Sequence, residues 1–466
     1  MQHIIESTLE LYKKWRGKEA ASIDVLPRSG SERRYFRIHE QNDSTIIGTY
    51  GANIKENETF FYFSENFFGK QLPVANILAI SDDRMFYLQE DFGDISLIDR
   101  LESEGYTDEI YSLFQKSLQT LAKLHVKGDE GLDYDRCLTN TEFGKQAIMA
   151  DLLYFKYYFL DALRKPYDKQ KLIDDFEALS NYLTHTEYKY FMFRDFQSRN
   201  IMVKKDNSIH FIDYQGGMKG APQYDVASML WQARANLSDE WKEKLLNDYI
   251  TAFEKIINSK INKAAFKSQY NGYVMIRLLQ VLGAYGFRGL FERKAHFLTS
   301  IPLALTNLKW FINNQSIGIS LPEFKRVLDI CVDDEIIQQF TPLQATDKTP
   351  LTVKINSFSY KKGLPEDNSG NGGGFVFDCR GILNPGRIDE FKTKHGRDKA
   401  VMEYLEQQSK MSEFLNSIFD IVDITVEEYI RRGFSNLAVN FGCTGGQHRS
   451  VFAADASVRV AVNNRF

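Results

Sequence analysis

FMFRDFQSRNIMV, residues 191–203, places an Arg-Asp pair between two apolar runs and an Asn at position 200, five residues after Asp195. HFIDYQG, residues 210–216, follows as a short apolar strand that ends on Asp213. Two loops between strands, each with an Asp or Asn satisfying turn backbone, explain the pieces one at a time. They do not explain the spacing of Asp195, Asn200 and Asp213, which is that of a phosphotransfer site. There the first Asp orients or receives the proton of an attacking hydroxyl, while the Asn and the second Asp hold Mg²⁺ on nucleotide phosphates.

Working outward, the chain of 466 residues has room for two to four domains. Hydrophobic residues at 43% against 26% charged exclude a disordered chain. A net charge of −4 gives no global attraction to nucleic acid or to an anionic membrane. Cys137, Cys331, Cys379 and Cys443 form no CxxC pair, which argues against a disulfide framework or a Cys-based zinc site and fits a cytoplasmic protein. MQHIIESTLELYKKW at the N-terminus reads as an amphipathic helix of mixed charge, not a leader peptide. No apolar run reaches the roughly 18 residues that span a bilayer, so a soluble protein without a membrane partner is expected.

Residues 22–100 read as short strands, RYFRIH, STIIGTY, VANILAIS and MFYLQED, and residues 101–340 as helices with the catalytic-loop strands IMVKK and SIHFID inserted. A β-rich part leading into a helical part is a two-lobed arrangement. LPEFKRVLDICVDDEIIQQF reads as its last helix, and TPLQATDKTP, spanning 341–350, as a linker. Residues 351–466 return to an α/β order: strands LTVKINSFSY, FVFDCR and NLAVNFG, helices over 399–432 and a final helix. NSGNGGG, residues 368–374, precedes a strand and reads as a flexible loop, not a phosphate-binding turn.

In RSGSERRYFRI, residues 28–38, Ser29, Gly30 and Ser31 form a candidate phosphate-covering turn or an ordinary hairpin turn. LQEDFGD, residues 88–94, lies where a hinge would offer backbone groups to adenine, with Gln89 and Glu90 as the contacts. Together with RDFQSRN and IDYQGGMKGAPQYDVASML, these segments resemble the aminoglycoside-phosphotransferase-like kinases, and among them the cell-wall amino-sugar kinases of AmgK type. The resemblance covers residues 1–340, with a nucleotide-binding lobe over 1–100 and a catalytic lobe over 101–340. It implies ATP and Mg²⁺ as cofactors and the anomeric hydroxyl of N-acetylmuramate or N-acetylglucosamine as acceptor. By match, Asp195 is the catalytic base, Arg194 orients its loop, and Asn200 and Asp213 are metal ligands. Asp225 in YDVAS is expected to brace the loop backbone. The departure is at the strand lysine of protein kinases: residues 41–54 contain none, and Lys55 falls in what reads as a loop. Arg33, Arg34 or the metal alone must then neutralise the phosphates. The aromatic LLYFKYYF and His125 read as core residues.

GCTGGQHRSV, residues 442–451, lies between a strand and a helix, where orphan N–H groups and the helix dipole favour an anion. Its C-x5-R-S spacing also matches the phosphate loop of cysteine phosphatases, with Cys443 as nucleophile. With SFSYKKGLP, FVFDCRGILNP and GRDKAVMEYL, it more closely resembles the C-terminal domain of the RapZ-type RNase adaptors, over residues 351–466. That resemblance implies an amino-sugar-phosphate sensor, with Thr444, Gly445, His448, Arg449 and Lys362 on the phosphate, and a part in binding RNA. The even balance of basic and acidic residues in this stretch lacks the excess of an RNA footprint.

The expectation is an α+β bilobal protein-kinase-like domain followed by a smaller α/β domain. It would act as a cytoplasmic amino-sugar kinase with a fused phosphosugar sensor. A non-catalytic sensor or adaptor that binds phosphosugar and RNA or a protein partner is the alternative.

Overall fold

The computed structural model describes residues 2–27, 32–42, 44–292, 295–298, 300–341, 350–367 and 374–464. The chain divides into two compact units, one of residues 1–283 with 303–332 and one of residues 284–302 with 333–466. Most of the expected linker, residues 342–349, lies outside the described residues, as do Ser29, Gly30, Ser31 and residues 368–373 of the Gly/Asn loop. Residues 284–302 and the helix Asp334–Phe340 group with the C-terminal part. Helical periodicity identifies such segments as helices without saying which core they join.

The first unit is bilobal and protein-kinase-like. Its smaller lobe is a five-stranded antiparallel sheet in the order β1 (Ser22–Val25), β2 (Arg34–His39), β3 (Thr45–Tyr50), β5 (Phe86–Glu90), β4 (Ile77–Ile80). Helix α1 (Gln2–Arg16) packs on one face through Leu11 and Tyr12 against Ile38, Ile46 and Leu88. The approach is close: a Cβ on Gly48 would stand 2.4 Å from the Thr8 methyl, so β3 needs glycine there. Helix α2 (Ile54–Gly69) covers the other face, where Phe60 and Phe61 pack on Tyr87. It overturns the reading of NIKEN as a loop. The Asn53 side chain accepts from the Glu56 N–H at 3.2 Å, capping a helix whose first turn carries exposed Lys55.

The larger lobe is helical. Helix α3 (Asp108–Asp129) buries Leu113, Leu118, Leu121 and His125, and the catalytic segment lies between short ribbons pairing β6 (Tyr190–Met192) with β9 (Met218–Gly220) and β7 (Ile201–Val203) with β8 (Ile209–Phe211). Helix α4 (Pro222–Leu230), with Pro222 at its first turn, is wholly buried. The stretch Lys263–Phe291 is long and apolar enough to cross a membrane by length and composition. The buried residues of helix α5 (Lys263–Tyr285), Arg277 among them, make it a core helix of this lobe. The expected last helix is two, Pro322–Cys331 and Asp334–Phe340.

In the second unit, β10 (Thr352–Ser359), β12 (Asn436–Cys443) and β11 (Gly374–Asp378) form a parallel sheet with β12 in the centre. The register sets Ser359 beside Cys443 and Asp378 beside Gly442. Leu437, Val439 and Phe441 of β12 are buried with Val401, Leu405, Leu415 and Phe452. These alternate residues are one face of the strand, and the buried Asn440 and Gly442 belong to its other face. Helix α6 (Arg449–Asn464) leaves the end of β12 through the turn 444–448.

Candidate functional site

The loop after β6 begins with Arg194 at φ +79°, in the left-handed region that costs a side-chain-bearing residue free energy. Asp225, in the first turn of α4 and fully buried, holds it there. Its carboxylate accepts from the N–H groups of Phe193 at 2.6 Å and Arg194 at 2.9 Å. It also accepts from His125 Nε2 at 2.9 Å, and Nδ1 of that ring pairs with the Tyr249 hydroxyl at 2.7 Å. His125 and Asp225 are therefore a brace. The Arg194 side chain turns from the reacting position to a two-pronged pair with Asp151 at 2.9 and 2.8 Å, stacked over Phe143 and Tyr224. It acts on the loop.

Asp195 follows, partly open to the cleft. Arg277 of α5 donates to its Oδ1 at 3.1 Å, Arg199 to its Oδ2 at 3.0 Å, and Gln197 also donates to Oδ1. Burial opposes the charge, but Arg277 and Arg199 hold the Asp195 carboxyl below the ordinary carboxylate range. Arg277, nearly enclosed by the helix core, spends its other edge on Gln280 at 2.6 Å. Sequence reasoning missed it. The signal was one charge inside the apolar run YVMIRLLQV, which had to have a partner.

Asn200 Nδ2 donates to the Asp195 backbone oxygen at 2.9 Å and approaches Asp213 Oδ2 at 3.4 Å. Its amide oxygen is left as a ligand beside the carboxylate of Asp213, itself at φ +70°. Among the described residues no group of three or more His, Cys, Asp or Glu forms a metal cage. One carboxylate and one amide oxygen suit Mg²⁺, which completes its shell with phosphates and water, and do not suit a structural metal. Gln215 links this pair to the small lobe, donating to Asp213 Oδ1 at 2.8 Å and to Glu56 Oε1 at 3.4 Å. Glu56 in turn lies 3.4 Å from Arg33 Nη2. Glu56 and Gln215 were not singled out in the sequence, although Glu56 opens the helix after β3.

Of the expected nucleotide contacts, Arg33 faces this chain and Arg34 does not. Strand alternation sends Arg34 to the face of Ile38 and Ile46, toward α1. The Glu90 backbone N–H is bonded to Asn76 O at 3.2 Å and its carboxylate accepts from Asn76 N, which removes it as an adenine donor. Gln89 is on the face of Tyr87, with Oε1 buried and unpaired among the described residues. Phe92, Ala75 and Met202 form a small apolar cluster with Ile212, which precedes Asp213.

At the end of β12 the turn Thr444–His448 is anchored from all sides. Ser359 Oγ donates to Thr444 O at 2.8 Å, Gly446 N donates to Cys443 Sγ at 3.2 Å, and Cys443 Sγ is 3.1 Å from Ser450 Oγ. Burial would raise the Cys443 thiol, yet the Ser450 hydroxyl and the N–H groups of Ser450, Gly446 and Gln447 hold it below its ordinary value. Thr444 and Gly445 are exposed, and Lys362 is exposed on the turn after β10. Two expected phosphate ligands point elsewhere. His448 Nε2 donates to Phe391 O at 2.8 Å, and Arg449 Nη1 donates to Arg380 O at 2.9 Å and Ile382 O at 2.8 Å. Carbonyls of the neighbouring loops claim one nitrogen of each side chain, and Arg449 Nε is left buried without a partner among the described residues.

Comparison with known proteins agrees with this division. The chain is similar to curated nucleotide-binding proteins: 37% identical over 137 residues to one from Endomicrobium trichonymphae, covering 29% of this chain and 43% of the other. For one from Fervidobacterium nodosum the figures are 30% over 191 residues, 38% and 64%. The chain thus spans about half the length of these relatives. Among solved structures it is similar to a choline/ethanolamine kinase family protein from Mesorhizobium loti, with TM-score 0.45 and 13% identity, covering 70% of this chain and 98% of that one. It is also similar to Plasmodium vivax ethanolamine kinase, with TM-score 0.44 and 13% identity, covering 62% and 82%. Residues 30–256 match the phosphotransferase enzyme family and residues 351–465 match the RapZ C-terminal domain, so the chain joins a phosphotransferase-type region to a RapZ-type one.

Proposed function

We propose that the first unit is an ATP- and Mg²⁺-dependent kinase that phosphorylates a hydroxyl of an amino sugar, with N-acetylmuramate or N-acetylglucosamine as the acceptor class. The observation that carries the reading is the convergence of Asp195, Asn200 and Asp213, joined through Gln215 to the small lobe. Asn200 and Asp213 would hold the metal, which when bound offsets charge on the transferring phosphoryl group. Asp195, kept ionised by Arg277 and Arg199, accepts the hydrogen bond of the acceptor hydroxyl and takes its proton as the oxygen–phosphorus bond forms and the bond from the γ-phosphorus to the departing ADP breaks. The Oδ2 side is where the hydroxyl enters, because its partner Arg199 is the exposed one. The apolar cluster around Phe92 and Met202 would take the adenine.

Charge favours the acceptor class. Arg194 is balanced by Asp151, whereas Asp195 faces two guanidiniums, so the acceptor side carries positive charge. A neutral N-acetyl sugar or one bearing a carboxylate fits that field better than a polycation. We read the second unit as a cytoplasmic phosphosugar sensor, with the phosphate at Thr444 and Gly445 beside Lys362, and His448 and Arg449 holding the turn in shape. Incubating the chain with ATP, Mg²⁺ and a panel of amino sugars, and locating the phosphate by ³¹P NMR, tests the kinase reading. A phosphate ester at an amino-sugar hydroxyl is expected, and ATP left intact with every sugar overturns it.

A further inference from the structure

The small lobe holds a buried cation that pairs with Tyr35 and Glu56 yet keeps one edge of its guanidinium without a hydrogen bond among the described residues. Arg33, just before β2, is 4% exposed and lies over the Phe60 ring of α2 at 5.5 Å. Its Nη2 is 3.4 Å from Glu56 Oε1, an ion-pair distance, but neither Nε nor Nη2 makes a hydrogen bond among the described residues. These two nitrogens form one edge of the guanidinium, the fork that grips two oxygens of a single anion. Burying that edge empty is costly unless a ligand fills it.

The surroundings show where such a ligand lies. Tyr35, Thr49 and Tyr87 are directly opposite one another on β2, β3 and β5. Tyr87 packs on Phe60 and Phe61, so this row faces α2. The Thr49 and Tyr87 hydroxyls are buried with no partner among the described residues other than one another. Thr49 stands on β3 where protein-kinase architecture places the lysine that pairs with the helix glutamate and the nucleotide phosphates. Here that glutamate is Glu56, and the cation beside it comes from in front of β2.

We propose that Arg33 replaces the strand lysine: held by Glu56, its Nε–Nη2 edge binds the non-transferred phosphates of the nucleotide. The inference rests on the nucleotide-binding reading of the first unit. It gives the Arg33–Glu56–Gln215–Asp213 chain a purpose, since the phosphate-binding cation and the metal ligand are fixed relative to one another by a single connection.

The test is calorimetric titration of the full chain with ADP and with adenosine, in Mg²⁺, alongside its melting temperature. Arg33→Met keeps the stem over Phe60 and should weaken ADP by about 10- to 100-fold, the loss of a charged two-pronged contact. Adenosine affinity should stay within about twofold. Adding Thr49→Lys to Arg33→Met returns a cation from β3 and should restore most of the ADP affinity. ADP binding within about threefold of wild type in a folded Arg33→Met variant overturns the proposal. So does equal loss of ADP and adenosine, which would make Arg33 a structural group. A wild-type chain that binds neither compound overturns the nucleotide reading as well, whereas intact binding that ignores Arg33 overturns this inference alone.

Discussion

Replacing Asp225 by Asn changes one oxygen of the brace and little of its shape. Oδ2 serves Phe193 N and His125, and Oδ1 serves Arg194 N. Whichever way the new amide turns, at least one N–H meets another donor. The smallest change is loss of the charged bond to Arg194 together with an unpaired buried donor, about 2–4 kcal/mol. Arg194 is the residue at φ +79°, whose strain of about 1–3 kcal/mol is what that bond opposes. The loop should then relax at Arg194 and carry the next residue, Asp195, off its position. A chain of two units need not unfold in one step. The loss is therefore read from the thermal transition that nucleotide stabilises, at about 1.5 °C per kcal/mol for a unit of this size. A fall of roughly 3–6 °C with a turnover loss of more than tenfold is expected. If the transition moves by less than about 2 °C, or moves with turnover intact, Asp225 does not hold the strained loop.

Asp195→Asn should lower turnover by roughly 10²- to 10⁴-fold with nucleotide affinity little changed, and near-normal turnover would remove Asp195 from the chemistry. Asp213→Ala should abolish the Mg²⁺ dependence of ATP binding measured by titration, and its survival would place the metal elsewhere. His210 stacks on Phe92, and burial and then Lys204 lower its pKa to about 4. The unfolded chain therefore binds more protons than the folded one between that value and the ordinary 6.5, and stability should fall as pH drops through this window. His210→Phe should flatten the fall in melting temperature, and an unchanged slope would assign it to other groups. In the second unit, glucosamine-6-phosphate at a hundredfold excess over Kd should stabilise by about 2.7 kcal/mol. Lys362→Ala should shrink that shift, and a full shift in the variant would move the phosphate away from the turn.

The convergence of Asp195, Asn200 and Asp213 was legible because they lie within 19 residues and loop spacing alone nearly fixes their geometry. Asp225 was legible as a brace for the same reason. Arg277 was not, because it arrives from a helix 82 positions away and only tertiary packing brings it to Asp195. The choice between Arg33 and Arg34 turned on strand alternation, and a one-residue change of register would have exchanged them. Helix α2 was hidden in a stretch scanned for strands, although Asn53 and Glu56 are a capping signal three residues apart. At the second turn the sequence identifies the small-residue loop. The aim of His448 and Arg449 depends on carbonyls at 380, 382 and 391, which no local pattern discloses.

With no acceptor present, both carboxylate oxygens of Asp195 are already occupied, one by Arg277 and Gln197 and the other by Arg199. A water molecule entering there would meet a carboxylate that Arg277 and Arg199 already make a weaker base. An acceptor hydroxyl has to share Oδ2 with the exposed Arg199 or displace it, and an acceptor with many hydrogen bonds of its own can compensate for that better than a lone water. For the kinase proposed above, ATP hydrolysis without an acceptor should be slow, and it should rise when Arg199 is shortened to alanine.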